Sequence, residues 1–142
     1  MQPPLNSEFL AELRVPARPE RLRLVRALVS RAARSVGCDS VLGEKLVIAV
    51  NEACMNVIQH AYGGSAEGEL TLEIYGNGAT LFFRLTDRAS HVELESIRSR
   101  DLDNIRPGGL GVHFIHEIMD ECEMGHLEGD RGNYLEMVKT FK

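Results

Sequence analysis

The segment from Glu44 to Gly64, EKLVIAVNEACMNVIQHAYGG, constrains the fold of this chain more than any other. At about 100° per residue, its apolar side chains share one broad side of a helix, and its polar side chains form a narrow stripe beside it. So much apolar surface predicts a helix that packs against a sheet. The apolar side is Leu42, Leu46, Ala49, Val50, Ala53, Cys54, Val57, Ile58 and Ala61, and the polar stripe is Lys45, Glu52, Asn56 and Gln59.

Glu52 and Asn56 are the candidate functional pair on this helix. Because they are four residues apart, a helix places them one above the other on a single face. That face lies at the boundary between the apolar and polar sides, where a carboxylate and an amide can share one ligand. A solvated pair on an ordinary amphipathic helix has the same spacing, so the helix alone leaves this alternative open.

A second segment, Arg106 to Asp120 (RPGGLGVHFIHEIMD), places glycines ahead of an apolar-periodic run. This order predicts a loop that opens a helix over 112–120. Without Cβ atoms the backbone can approach an anion closely, and the free N–H groups at a helix start point at it. The segment therefore suits a phosphate, although a glycine-rich turn that binds no ligand would have the same sequence pattern.

Between these segments, Leu81 to Asp87 (LFFRLTD) predicts an apolar strand that ends in an acid. Taken in order, Glu-x-x-x-Asn, the strand ending in Asp87 and Gly-Leu-Gly resemble the N, G1 and G2 boxes of the GHKL ATPases, which share the Bergerat ATP-binding fold and a histidine-kinase-like ATPase domain. Within that superfamily the chain resembles the anti-sigma factor serine/threonine-protein kinases. The phrases RVPARPERL, NEACMNVIQHAY and GGLGVHFIHEIMDECE carry this resemblance, which covers roughly residues 12–141.

The resemblance implies a role for each site residue. Glu52 is expected to be the general base toward the attacking hydroxyl, and Asn56 is expected to hold Mg²⁺. Asp87 is expected to accept a hydrogen bond from the adenine amino group of ATP or ADP. The other expected nucleotide-binding residues are Gly109, Leu110, Gly111, Val112 and Asn133.

Two positions depart from the family pattern, both at the adenine end of the expected site. The G1 box usually reads Asp-x-Gly, whereas Ala89 stands in its third position here, and we expect the methyl group to weaken adenine binding. Near the C-terminus the family commonly has Gly-Thr, whereas this chain has Gly132-Asn133. The Asn side chain can still donate and accept hydrogen bonds.

Composition limits the function classes further. At 142 residues the chain is expected to form one domain. No apolar run approaches the ~20 residues of a membrane span, and the first residues lack the features of a signal peptide, so we expect a cytoplasmic protein. The net charge of −5 argues against direct binding to nucleic acid. Three widely spaced cysteines indicate reduced, mostly structural thiols.

The chain predicts an α/β (α+β) two-layer sandwich: a mixed, mostly antiparallel sheet of about five strands with its helices on one face. The central helix is expected to be capped by Asp39 or Ser40. In the hairpin turn at 76–79, Asn-Gly is expected to supply the positive φ of a tight turn. Residues 1–7 are expected to be loose and residues 8–142 to form a single ATPase domain, whose lid in the resembled family corresponds to 88–107. Strands are expected at 8–15, 70–75, 80–86, 121–127 and 134–141, and a first helix at 18–36.

The resemblance implies a kinase that phosphorylates a small STAS-like antagonist protein and regulates a sigma factor by partner switching. It also admits a sigma factor or a phosphatase as a partner and a homodimer as the assembly, with no nucleic acid or membrane involved. Arginines on the first helix are either plain solvent-facing charge or a docking face for an acidic partner.

Two other functions stay open. A nucleotide-binding switch of the same fold would change partners without transferring phosphate. The presence of Glu52 favours the kinase, and Ala89 mildly favours the switch. An autonomous ATPase or a detached histidine-kinase module is disfavoured, because the chain has no dimerisation helices and no phosphoacceptor histidine module.

Overall fold

The computed structural model describes residues 1–63, 67–90, 114–129 and 131–142. A short 3₁₀ turn, Pro19–Arg21, precedes the first helix, and a π-helical turn, Val57–Ala61, extends the second. Among these residues, none of the helices has both the length and the apolarity to cross a bilayer. The elements in chain order are β1 (Glu8–Pro16), α1 (Leu22–Ser35), α2 (Ser40–Asn56), β2 (Glu69–Gly76), β3 (Thr80–Ser90), α3 (114–118), β4 (Glu121–His126) and β5 (Arg131–Thr140).

The five strands form one sheet in the order β1-β2-β3-β5-β4, and all four neighbouring pairs are antiparallel. The expected two-layer α/β fold with five strands is confirmed, but the expectation of a mixed sheet is wrong. The helices α1 and α2 connect β1 to β2. β2 begins beside the end of β1, where Glu69 pairs with Pro16, and runs antiparallel to it. β3 and β4 point the same way, but β5 lies between them.

The core lies between the helices and one face of the sheet. Alternate residues of β2 and β3 are fully buried in it together with the apolar side of α2, as the period of two in a strand requires. Burying each large apolar side chain contributes roughly 1.5–3 kcal/mol. The principal members are Leu70, Leu72, Ile74, Leu81, Phe83 and Leu85 from the sheet and Leu46, Ala49, Val50, Ala53 and Cys54 from α2.

The opposite face of the sheet holds a partly buried ionic cluster around Glu136. The Arg84 guanidinium donates to Glu136 at 2.7 Å and lies 3.5 Å from Glu73, and it stacks over the Phe82 ring. Glu136 is only 4% exposed, and the Met1 amine is a second cation beside it at 3.1 Å. A buried carboxylate compensated in this way is structural, because losing its cations would leave an unpaired buried charge.

The three cysteines are free thiols. Burial raises the pKa of Cys54 to about 12 and that of Cys122 to about 11. Since the thiolate is the reactive form, both side chains act as apolar filling, as expected.

The helix boundaries follow from local chemistry. Gly37 adopts φ +86° after α1, a conformation that glycine reaches without strain. Asp39 is the N-cap of α2, because its Oδ1 accepts a hydrogen bond from the Leu42 N–H at 3.0 Å. This decides between the two caps that the sequence allowed.

The turn between β2 and β3 differs from the expectation. Neither Asn77 nor Gly78 has a positive φ. Instead the Asn77 Oδ1 accepts hydrogen bonds from the backbone N–H groups of Ala79 at 2.8 Å and Thr80 at 2.9 Å. The side chain closes the turn by a local hydrogen-bonded loop, so the left-handed backbone conformation is not needed.

This turn yields a paired prediction. Asn77→Ala removes two hydrogen bonds and should lower the free energy of unfolding by about 1–2 kcal/mol. Gly78→Ala should change it by less than about 0.5 kcal/mol, because a Cβ there meets nothing within 4 Å and the φ is ordinary. Urea unfolding of both variants measures the difference, and a larger loss in Gly78→Ala than in Asn77→Ala would contradict this description of the turn.

Candidate functional site

The end of α2 carries the two candidate residues Glu52 and Asn56. Both side chains are half-buried, while Ala53 and Cys54 beside them are fully buried. Within the described ranges, neither the Glu52 carboxylate nor the Asn56 amide has a side-chain hydrogen bond or ion pair. Their oxygens are therefore available to a ligand at the boundary of the core, where the sequence predicted them.

Directly after Asn56 the helix widens into the π turn Val57–Ala61. The Tyr62 N–H donates to the Val57 carbonyl at 3.0 Å, five residues back. Ile58 is buried in the core, and the turn packs against β3. Such turns are frequent at functional sites, and this one places the end of α2 beside the strand that carries Asp87.

Asp87 lies near the end of β3 and is only 4% exposed. It continues the alternation of Phe83 and Leu85, so it faces the side of the sheet that the helices cover. Its Oδ1 accepts hydrogen bonds from the Asn133 Nδ2 and the Ala89 N–H, both at 2.9 Å. Burial raises the pKa of Asp87, and the hydrogen bonds from Asn133 and Ala89 offset part of this rise.

Asn133 stands directly opposite Asp87 in the pairing of β3 with β5. It is itself buried, and its Nδ2 also donates to the Ser90 carbonyl at 3.0 Å. The structure thus joins two residues 46 positions apart that were each expected at the adenine end of one site. The Asn133 side-chain amide thus ties the end of β3 to the beginning of β5.

Gly132 makes this approach possible. Its φ is +105°, and a Cβ at this position would lie 3.1 Å from the Asp87 carbonyl oxygen and 2.7 Å from the Leu127 side chain. This backbone conformation favours glycine, and a Cβ would also crowd the Asp87 carbonyl oxygen near the point where Asn133 meets Asp87.

Ala89 lies at the irregularity of β3 between Asp87 and Ser90. Its side chain is 2% exposed, and its φ is not in the left-handed region. Alanine therefore adopts this backbone without strain. The expected effect of its methyl group on adenine binding stays a prediction.

The expected phosphate-binding residues Gly109, Leu110, Gly111 and Val112 lie outside the described residues. Of the expected lid over 88–107, residues 88–90 continue β3, and the rest also lies outside the described residues.

Tyr62 is a site neighbour that the sequence reasoning missed. Its hydroxyl donates to the Glu69 carbonyl at 2.7 Å and accepts from the Arg88 N–H at 2.8 Å. Tyr62 is the last residue of the family-like segment NEACMNVIQHAY, which was the only indication of its role in the sequence. Its hydrogen-bond partners could not be predicted from the sequence.

Comparison with known families gives a match over nearly the whole fold. The model of the histidine kinase-like ATPase domain matches residues 15–139, from the end of β1 to the end of β5. The chain belongs to this family.

Relatives of this histidine kinase-like ATPase domain include proteins named serine-protein kinase RsbW. The protein from Listeria innocua is 33% identical over 125 residues, which cover 82% of this chain and 80% of the relative. The one from Halalkalibacterium halodurans is 32% identical over 136 residues, covering 90% and 81%. The one from Bacillus subtilis is 29% identical over 132 residues, covering 87% and 82%.

Among solved structures, the histidine kinase domain from the Erythrobacter litoralis EL346 blue-light activated histidine kinase superposes with a TM-score of 0.52. The identity is 15%, and the match covers 87% of this chain and 60% of that one. At this identity the likeness shows the fold alone. Together the comparisons confirm the expected fold and the resemblance to serine/threonine-protein kinases of the histidine-kinase-like ATPase class.

The buried Asp87 carboxylate generates a prediction on stability. Because the fold raises its pKa, the stability that Asp87 contributes is fully present below its ordinary pKa of about 3.9 and is lost as the pH rises through the raised value. Asp87→Asn keeps an oxygen for the same two donors and cannot ionise. Its Tm should therefore exceed that of the wild type at pH 7, and the difference should shrink toward zero in acid.

The control for this comparison is Asp39→Asn, which removes an exposed carboxylate at a cap where Asn serves about equally well. Thermal unfolding at several pH values measures all three proteins. A Tm difference for Asp87→Asn that did not vary with pH would show that the carboxylate carries no burial cost.

Proposed function

We propose that this chain is an anti-sigma factor kinase, which transfers the γ-phosphoryl group of ATP to a serine or threonine of a STAS-like antagonist protein. The observation that carries the proposal is its 33% identity to a serine-protein kinase over 82% of its length. In support, Glu52 and Asn56 stand together at the end of α2, beside the strand that carries Asp87.

The Asp87 carboxylate is suited to the adenine ring. An ionised carboxylate only accepts hydrogen bonds, so it pairs with the 6-amino group of adenine and repels the carbonyl oxygen that guanine has there. Asn133 holds this carboxylate through a 2.9 Å hydrogen bond. The base end of the site is therefore assigned to the pair of β3 and β5.

Asn56 is suited to hold Mg²⁺. An amide oxygen is a hard ligand, and Mg²⁺ takes its remaining ligands from water and from nucleotide phosphates. The Asn56 side chain has no hydrogen bond within the described ranges, so its oxygen can face such an ion without breaking a contact. When bound, Mg²⁺ would neutralise charge on the phosphates.

Glu52 is suited to act as the general base, one helical turn before Asn56. As the hydroxyl oxygen of the protein substrate attacks the γ-phosphorus, the Glu52 carboxylate takes its proton. The bond from the γ-phosphorus to the bridging oxygen breaks, and ADP leaves. We assign the phosphate contacts to Gly109, Leu110, Gly111 and Val112, because glycines before a helix leave N–H groups open to an anion.

The arginines of α1 and of the turn before it support a surface for an acidic partner. All five side chains are exposed, and the Arg26 guanidinium donates to Asn51 of α2 at 2.9 Å. Their planar donor groups fit the carboxylates of an antagonist or a sigma factor. The set is Arg21, Arg23, Arg26, Arg31 and Arg34.

A nucleotide-dependent switch without phosphotransfer is the second candidate. Ala89 favours it, because this residue stands where the resembled family usually has the glycine of the G1 box, and its methyl group is buried. Transfer itself discriminates the two. Incubation with Mg-ATP and a purified antagonist domain, followed by mass spectrometry, should reveal one added phosphate on that domain. Bound nucleotide without transfer to any antagonist domain tested would support the switch.

The two helix residues give separable expectations. Glu52→Gln keeps the shape and cannot take a proton, so transfer should fall about 10²–10⁴-fold while the Kd for nucleotide hardly moves. Asn56→Ala removes a metal ligand, so both transfer and affinity for Mg-ATP should fall. Calorimetry and transfer rates measure the contrast.

The control is Gln59→Ala on the same polar stripe, which is exposed and should change neither quantity. Wild-type transfer by Glu52→Gln would leave the kinase without its base. Equal losses of Tm, affinity and rate in both site variants would point to a structural pair instead.

A further inference from the structure

Tyr62 links the two halves of the site described above. It directly follows the π turn that extends α2 beyond Asn56. Its hydroxyl meets the backbone of β2 and β3 at three points: it donates to the Glu69 carbonyl at 2.7 Å, accepts from the Arg88 N–H at 2.8 Å and lies 3.3 Å from the Glu69 N–H.

These contacts lie where the pairing of β2 with β3 stops. The last paired residues are Leu70 and Asp87, and Glu69 and Arg88 are the next residue on each strand. The Tyr62 hydroxyl therefore takes the place of the next rung of the sheet. It fixes the backbone of Arg88 immediately after Asp87, whose side chain Asn133 holds from the other strand.

The ring of Tyr62 is held as closely as its hydroxyl. A Cβ at Gly68 would lie 2.4 Å from two carbon atoms of the ring, so only glycine admits the ring at this place. The Gly68 carbonyl accepts from the Ala17 N–H at 2.8 Å, which ties this backbone to the end of β1. The Gly68 backbone therefore lies against one side of the ring, and the hydrogen bonds of the hydroxyl hold its tip.

We infer that Tyr62 is a positioning residue, which sets the Asp87 carboxylate relative to the end of α2 and thereby contributes to selection of the adenine base. This inference rests on the proposed function. Asp87 acts on the base and Asn56 on the phosphates, so a nucleotide that bridges them requires a fixed spacing between β3 and α2. The Tyr62 hydroxyl is hydrogen-bonded to β3, and the Tyr62 backbone directly follows the π turn that extends α2.

Tyr62→Phe tests this role, because it keeps the ring against Gly68 and removes the three hydroxyl contacts. The readout is the ratio of affinities for ATP and for purine riboside triphosphate, which lacks the 6-amino group. Calorimetry should show a wild-type preference for ATP and a ratio about 3–10-fold smaller in Tyr62→Phe. A purely structural loss would lower Tm and leave this ratio unchanged.

Tyr75→Phe is the matched control. It also removes one phenolic hydroxyl with a hydrogen bond, to Glu73 at 3.0 Å, on the face of the sheet away from the helices. Its ratio should equal that of the wild type. An unchanged ratio in folded Tyr62→Phe would overturn the inference while leaving nucleotide binding intact.

Failure of the proposed function gives a different result: the wild type would bind no ATP, and the positioning role would then be refuted as well. Should Tyr62→Phe not fold, hydrogen exchange of the wild type decides. The Arg88 amide should exchange slowly, in keeping with its bond to Tyr62, and fast exchange there would overturn the inference.

Discussion

The register between β3 and β5 is the constraint on which the site depends. It sets Asp87 opposite Asn133 on the face under the helices and Arg84 opposite Glu136 on the other face. Because side chains alternate across a strand, a slip of one residue would exchange the faces and break both pairs at once. The ionic cluster on the outer face thus stabilises the same register that the inner site needs. Gly132 suits it, since its φ of +105° favours glycine and a Cβ there would lie only 3.1 Å from the Asp87 carbonyl oxygen.

Local patterns predicted the elements because each depends on neighbouring residues. The apolar side of α2 and its cap are local features; spacing predicted the first, and residue type narrowed the second to Asp39 or Ser40. The direction of the strands was only partly predicted, because the place of β5 between β3 and β4 depends on contacts distant in the chain. The turn at Asn77 was assigned to a positive φ at Asn-Gly, whereas hydrogen bonds to the Asn77 side chain close it.

The sequence could propose the members of the candidate site but not the contacts between them. Glu52, Asn56, Asp87 and Asn133 followed from motifs and a resemblance. The structure places the first three on the expected elements, whereas Asn133, expected in the turn before the last strand, lies within β5. The bond between Asp87 and Asn133 and the bridge from Tyr62 to Arg88 could not be predicted, because each joins segments that only the fold brings together. The raised pKa of the buried Asp87 carboxylate lowers the stability of the fold at neutral pH, a cost that the proposed role in adenine binding would explain. Ala89 fits this backbone without strain, so the departure from the family pattern leaves the fold unchanged.

The central claim is that a nucleotide bridges α2 and the β3–β5 strand ends, and titration of ¹⁵N-labelled protein with Mg-ADP tests it most directly. The account predicts that the side-chain amide signals of Asn56 and Asn133 and the backbone amide of Ala89 shift together, with one common affinity. Signals from Tyr75 and Arg84 on the outer face should stay in place. Shifts confined to the outer face, or at Asn133 without Asn56, would contradict the account.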